Sequence, residues 1–264
     1  MFENKNKGTF VVLRSAGLGN RLKSYISHMA RWEKILIEKK SDTLIFNNFE
    51  LATDDDIKKY PNTGSVWQLL VDEDEEKYID TYKTIDFLYN KTPKFFIEKY
   101  LPIWQSLSFN KDVIDKVREI SNGWNFENLI GLNIRSSTPC FDRDKFIDYD
   151  GFEKEIENNN DIFFIASDSI SIKNYYKNKY GSRCFLYERD VIIDSGITDD
   201  YEQNMQALVE MILLSKCRKK LVASLGSSFS ECAWWLGGCD VQVTCPVNNI
   251  PDEWSKIHMI KKNN

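Results

Sequence analysis

The stretch that decides the fold reads LVASLGSSFSECAWWLGG and spans residues 221–238. Its first three residues are apolar and typical of a buried strand. Gly226 permits a tight turn, and Ser227 and Ser228 are of the residue type that caps the start of a helix. The residues that follow keep an apolar helical pattern as far as two consecutive glycines, which predict the end of that helix. The stretch therefore predicts a strand, a turn and a helix in direct succession.

The same succession of strand and helix occurs along the rest of the chain. Strands are predicted at 9–13, 44–46, 129–135, 162–166, 184–187 and 241–243. Helices are predicted at about 22–30, 112–120, 152–156, 169–179 and 204–217. Strands that alternate with helices indicate parallel sheets covered on both faces, so the sequence predicts an α/β fold.

The alternation starts twice, near residue 9 and again near residue 129. Two Rossmann-type lobes, each with its own parallel sheet, and a cleft between them are the simplest architecture that accounts for this. We predict an N-terminal lobe over 1–125 and a C-terminal lobe over 126–264.

Composition is typical of an ordinary globular protein. The chain has 264 residues, 42% of them apolar and 28% charged, and its net charge of −5 gives no sign of a nucleic-acid surface. No apolar stretch approaches the roughly 18 residues that a membrane span needs. The N-terminus lacks the apolar region of a secretory signal, and the six cysteines include no Cys-x-x-Cys pair. We therefore expect reduced thiols in a cytoplasmic protein without a membrane span.

Four predicted strands end in small polar residues, with an arginine at two of the ends. These strand ends lie at 17–21, 135–138, 167–169 and 224–230. Ligands of open parallel sheets bind outside the carboxyl ends of the strands. We therefore expect the four ends together to bind a phosphorylated ligand.

The helix that starts after Ser227 is the strongest phosphate candidate. A helix N-terminus offers free backbone N–H groups and a partial positive charge. Arg135, which leaves a predicted buried strand, is the natural charged partner for the same phosphate. Asp168, at another strand end, is placed to accept hydrogen bonds from a ribose or a base. Each residue also has a purely structural interpretation, namely helix capping for Ser227 and Asp168 and a surface ion pair for Arg135.

Other nucleotide-binding and hydrolytic motifs are absent. Gly17-Leu18-Gly19 lacks both the third glycine of a dinucleotide-binding turn and the lysine of a phosphate-loop NTPase. The chain has no G-x-S-x-G motif, and its two histidines are His28 and His258.

Glu210 falls in an otherwise apolar helix, so we expect it to have a buried ion-pair or hydrogen-bond partner.

In order and spacing, the segments resemble the fucosyltransferase superfamily, which includes the α1,6-fucosyltransferases, the bacterial nodulation fucosyltransferases and the protein O-fucosyltransferases. The matching segments are the glycine-rich turn at 17–22, the H-x-R strand at 130–135, the S/T-D segment at 163–168, the apolar helix at 204–215 and the S-S-F turn at 222–229. The resemblance implies a GT-B-like fold and inverting, metal-independent transfer of fucose from GDP-fucose to a glycan or other hydroxyl acceptor. No cofactor beyond that donor is implied.

The resemblance also implies roles for individual residues. Arg135 is expected to bind the diphosphate and to assist catalysis. The other expected ligand-binding residues are Gly19, Asn20 and Arg21 from the N-terminal lobe, and Asn133, Asp168, Ser227, Ser228 and Phe229 from the C-terminal lobe. Independently of the resemblance, Asp142 and Asp144 are our candidates for the general base, because they follow the Arg135 strand and could reach the cleft.

Two positions depart from the family pattern. Asn133 stands where the family has the histidine of its H-x-R motif, and Thr138 stands where an acid often follows. These departures leave two alternatives open. One is a transferase that uses another nucleotide sugar, and the other is a protein that binds a nucleotide sugar or glycan without turnover.

Overall fold

The computed structural model of the chain is organised around two parallel sheets. It describes residues 6–13, 16–62, 92, 94–135, 147–157, 161–189 and 199–248. One sheet lies in the first quarter of the chain and the other in its second half.

The first sheet has three parallel strands in the order β1-β2-β3. They are β1 (Asn6–Val12), β2 (Trp32–Ile37) and β3 (Glu50–Leu51). The helices of this part are α1 (Leu18–Met29), α2 (Lys40–Ile45) and α3 (Asp54–Lys59). Two further helices lead toward the second sheet, namely α4 (Lys94–Gln105) and α5 (Lys111–Ile120).

The second sheet has five parallel strands in the order β6-β5-β4-β7-β8. They are β4 (Ile130–Ile134), β5 (Phe163–Ser167), β6 (Cys184–Leu186), β7 (Lys220–Ala223) and β8 (Val243–Thr244). The helices are α6 (Tyr149–Glu157), α7 (Ile170–Tyr180), α8 (Tyr201–Lys216) and α9 (Ser228–Leu236). The strand order reverses between β4 and β7, which makes the end of these two strands a topological switch point.

Side chains of the second sheet alternate between two cores, as the period of a strand requires. In β5, Phe163 and Ile165 pack with residues of α6 and α7 on one face. Phe164 and Ala166 pack on the other face with residues of α8 and α9, and this larger core continues into α1 and α4. The two halves of the chain thus share one hydrophobic core, and the lobe boundary near residue 125 stays a prediction.

The predicted α/β fold with two parallel sheets is confirmed, and most elements of the second half lie where the sequence predicted them. The predicted strand at 44–46 is wrong, because Leu44 and Ile45 end α2. The second strand is instead β2, which begins three residues after α1 ends. Ile45 and Phe46 are apolar because both are fully buried against the core, and burial alone does not distinguish a helix from a strand.

A buried polar cluster joins α1, α2 and α8. The Arg21 guanidinium donates to both carboxylate oxygens of Asp42, at 2.8 and 2.9 Å, and to Asn204 Oδ1 at 3.0 Å. Its Nη1 also donates to the Ala16 carbonyl oxygen at 2.5 Å, just before the glycine-rich turn. Tyr25 Oη donates to Asp42 at 2.9 Å. Burial opposes the charge on Arg21, but the hydrogen bond to Asp42 and its charge outweigh burial and raise the pKa of Arg21.

We expect Asp42→Asn to lower the free energy of unfolding by about 3–5 kcal/mol, because the fully buried Arg21 would lose its compensating charge. Glu50→Gln is the matched control. It removes the acid of the Lys34–Glu50 pair, whose side chains are 51% and 66% exposed, and should leave stability nearly unchanged. Urea unfolding of both variants measures the difference, and equal effects would show that the buried cluster does not stabilise the fold.

Candidate functional site

Hydrogen bonds fix the carboxyl ends of β4 and β7 at the switch point. The Ser224 N–H donates to the Asn133 carbonyl oxygen at 2.8 Å. The Arg135 N–H donates in turn to Ser224 Oγ at 2.9 Å. Arg135 is therefore held by its backbone, while its side chain remains 29% exposed.

A hydrogen bond between Asn133 and Ser227 links β4 to the start of α9. Ser227 Oγ donates to Asn133 Oδ1 at 2.8 Å, and Asn133 Nδ2 donates to the Ala166 carbonyl oxygen at 3.4 Å. Ser227 is also the N-cap of α9, since its Oγ accepts a hydrogen bond from the Ser230 N–H. Both side chains are buried. The Asn133 amide therefore orients the residue that starts α9.

The start of α9 has the geometry of an anion-binding site. Gly226 has a φ of +63°, a left-handed conformation that permits the turn between β7 and the helix. Ser228 and Phe229 follow in the first helical turn and are half-buried. Backbone N–H groups in the first turn of a helix have no partner within the helix and carry its partial positive charge.

The N-terminus of α1 lies directly against the same turn. A methyl group on Gly19 would stand 2.9 Å from the carbonyl carbon and oxygen of Ser228 and 3.0 Å from the Phe229 nitrogen. Only glycine allows this approach, because the backbone atoms cannot give way. One turn further along both helices, Lys23 Nζ and Glu231 Oε2 form a buried pair at 2.7 Å. The starts of α1 and α9 therefore lie side by side.

Asp168 lies at the end of β5, next to the switch point. Its Oδ2 is 3.8 Å from Arg135 Nε, and its side chain is 15% exposed. The helix after β5 is capped by Ser169, whose Oγ accepts a hydrogen bond from the Ile172 N–H at 3.3 Å. Asp168 is therefore not the N-cap of that helix, and its carboxylate faces the Arg135 side chain.

The predicted site residues fall into three groups. Those at the edge formed by β4, β5, β7 and the starts of α1 and α9 are Gly19, Asn20, Asn133, Arg135, Asp168, Ser227, Ser228 and Phe229. Arg21 is fully buried in its cluster with Asp42, so its predicted position facing the cleft is wrong. Asp142, Asp144 and Thr138 lie outside the described residues, and the base assignment stays a prediction.

One group of charges near this edge was only partly predicted. Glu210 was expected to have a buried partner, and Lys173 Nζ lies 2.5 Å from its Oε1. Arg189 Nη2 contacts the other carboxylate oxygen of Glu210. The apolar pattern around Glu210 predicted a partner, but no sequence signal identified Lys173 or Arg189.

Within the described ranges, no group of three or more His, Cys, Asp or Glu side chains is placed to hold a metal ion. None of the helices in that same part of the chain is both long and apolar enough to cross a membrane.

Comparison with known proteins gives matches among solved structures only. No protein-family model and no curated protein sequence matches the chain. NodZ α-1,6-fucosyltransferase soaked with GDP-fucose superposes with a TM-score of 0.52 and 11% identity, over 88% of this chain and 93% of NodZ. Fucosyltransferase NodZ from Bradyrhizobium gives 0.51 at 13% identity, over 87% and 92% of the two chains. A mutant of Arabidopsis thaliana FUT1 in complex with GDP gives 0.52 at 16% identity, over 94% and 73%.

At these identities the likeness concerns the fold. The chain has the two-lobed GT-B-like fold of the fucosyltransferases, aligned over most of its length. This agrees with the resemblance in the order of the sequence segments.

We expect Ser227→Ala to lower the free energy of unfolding by about 2 kcal/mol, because it removes both the cap of α9 and the hydrogen bond to Asn133. Ser169→Ala, which removes the cap of α7, is the control and should cost about 1 kcal/mol. Chemical denaturation of the two variants and of Asn133→Ala/Ser227→Ala measures the difference. Equal costs for the two serines would mean that the Ser227–Asn133 bond contributes nothing.

Proposed function

We propose that the chain is a glycosyltransferase that transfers fucose from GDP-fucose to a glycan or other hydroxyl acceptor, with inversion and without a metal ion. The observation that carries the proposal is the meeting of two helix N-termini, at Gly19 and Ser228, beside the Arg135 strand end. The fold likeness to NodZ soaked with GDP-fucose and to FUT1 in complex with GDP supports the choice of donor.

The diphosphate of the donor would lie against the starts of α1 and α9, beside the point where the two helices touch. Each helix start contributes roughly half a positive charge and free N–H groups to an anion there. Arg135 adds a positively charged side chain that is partly exposed. A guanidinium pairs well with phosphate because its N–H groups form a planar fork.

The nucleoside would extend from the phosphates toward Asp168. The carboxylate of Asp168 accepts hydrogen bonds, and it lies on the β5 side of Arg135. Guanine carries N–H donors on one edge, which a carboxylate can accept. A phosphate over β7 and β4 and a nucleoside over β5 follow the usual placement of ligands in open parallel sheets.

In the reaction, the acceptor hydroxyl attacks the anomeric carbon of fucose and GDP departs from the opposite face. Negative charge accumulates on the leaving diphosphate, and Arg135 and the helix starts would stabilise it most in the transition state. These fixed positive groups would replace a metal ion. A general base that takes the hydroxyl proton is worth roughly 10²–10⁴-fold, and Asp142 and Asp144 remain the proposed candidates.

Calorimetric titration of GDP, UDP and ADP in the presence of EDTA tests the donor and the phosphate site together. We expect selective binding of GDP, weakened about 10- to 150-fold by Arg135→Ala, because hydrogen bonds to a charged group contribute about 1.5–3 kcal/mol. Arg118→Ala is the matched control, since Arg118 lies on α5 with a side chain that is 76% exposed. This control should bind GDP like the unchanged protein.

Three other outcomes have distinct meanings. Preference for another nucleotide would retain the fold and replace fucose transfer by transfer from a different nucleotide sugar. GDP binding without any product from GDP-fucose and a panel of hydroxyl acceptors would favour a binding protein without turnover. No binding of any of the three nucleotides would contradict the proposal.

A further inference from the structure

A buried lysine and a partly buried arginine share one carboxylate beyond the end of β6. Glu210 of α8 contacts Lys173 Nζ at 2.5 Å through Oε1 and Arg189 through Oε2. Lys173 belongs to α7, which packs with the opposite core from α8. The contact between the two helices therefore passes across the carboxyl edge of the sheet. One positive charge remains in excess at this edge.

Lys173 is buried and makes two polar contacts within the fold. Its side chain is 5% exposed, and its Nζ also donates to the Tyr187 carbonyl oxygen at 3.0 Å. Burial lowers the pKa of Lys173, and the charge of Glu210 opposes that shift. Lys173 thus neutralises Glu210 and ties α7 to the chain after β6.

Arg189 retains unused hydrogen-bonding capacity. Its side chain is 14% exposed, and one Nη is bonded to Glu210. Its Nε is shielded from solvent and has no hydrogen-bond partner within the described part of the chain. A guanidinium presents five N–H donors in a rigid plane, so a planar acceptor edge beside Arg189 would satisfy the Nε donor, which the described residues leave unpaired.

The order of strands aligns Arg189 with the proposed nucleotide. Along the carboxyl edge, β7, β4, β5 and β6 follow one another. Their ends carry the start of α9, Arg135, Asp168 and Arg189 respectively. Neighbouring strands are about 4.8 Å apart, so β7 and β6 are separated by roughly 14 Å. An extended nucleoside diphosphate with its phosphates at β7 and β4 therefore brings its base to the ends of β5 and β6.

We propose that Arg189 is a specificity-determining residue that selects guanine over adenine. Its guanidinium would donate to guanine O6 and N7, a pairing that arginine makes readily, while Asp168 accepts from the N–H groups of the opposite side of the ring. Adenine has an amino group in place of O6. This hydrogen-bond donor would face the N–H donors of the positively charged Arg189 guanidinium, and no hydrogen bond could form there. This inference rests on the proposed function, because it requires a nucleoside diphosphate in the cleft.

Of the two cations that contact Glu210, Arg189 is the one that can be replaced while Glu210 keeps a partner. Without it, Glu210 keeps Lys173 as its partner. Without Lys173, by contrast, Glu210 and the Tyr187 carbonyl oxygen would lose their shared donor. Replacement of Arg189 therefore removes donors from the edge while a buried ion pair remains.

Calorimetric titration of GDP, IDP and ADP into the unchanged protein, Arg189→Ala and Arg189→Lys tests the proposal. IDP shares O6 and N7 with guanine but lacks the 2-amino group. We expect Arg189→Ala to weaken GDP and IDP binding by about 5- to 100-fold and to leave ADP binding nearly unchanged, so that discrimination falls by the same factor. Arg189→Lys keeps the charge without the planar fork and should retain only part of the discrimination.

The outcomes separate this proposal from the proposed function. If the unchanged protein binds none of the three nucleotides, both fail. If it prefers GDP and Arg189→Ala weakens GDP and ADP equally, Arg189 has only a structural role and the specificity proposal is overturned while the donor assignment stands. If Arg189→Ala does not fold, Arg189→Lys decides the question, and an unchanged ratio of GDP to ADP affinity in that variant overturns the proposal.

Discussion

The site depends on the contact between Gly19 and the backbone of Ser228, where no side chain fits. This contact brings the positive ends of two helices together, and each end carries roughly half a unit charge. Glu231 in the first turn of α9 is already paired with Lys23 of α1. An anion placed against both helix starts would therefore meet two positive ends at once.

Two buried ionic contacts hold the helices in this position. The Lys23–Glu231 pair joins α1 to α9 one turn away from the glycine contact. Arg21 joins α1 to Asp42 of α2 and to Asn204 of α8, and it holds the Ala16 carbonyl oxygen before the turn. Removing one partner of such a buried pair is strongly destabilising, because the other charge is left buried without compensation. These contacts join the two halves of the chain here, since α8 and α9 belong to the second half.

Much of the fold followed from the sequence because the second half alternates short apolar strands with amphipathic or apolar helices. The strand ends also identified Arg135, Asp168 and Ser227 as neighbours, since parallel strands end at one edge. The sequence could not show that Arg21 is buried, because its partners are distant along the chain. Asp42 is 21 residues away and Asn204 is 183 residues away. No sequence pattern indicated a role for Arg189, because it follows a strand of only three residues and lies outside any helix.

The most direct test of the account is amide hydrogen exchange with and without saturating GDP. If the diphosphate lies against both helix starts, exchange should slow together in residues 17–20 and 226–230. The remote surface of α3 should exchange unchanged and serves as the internal reference. Slowed exchange elsewhere, with both segments unaffected while GDP is bound, would contradict the placement of the diphosphate against the starts of α1 and α9.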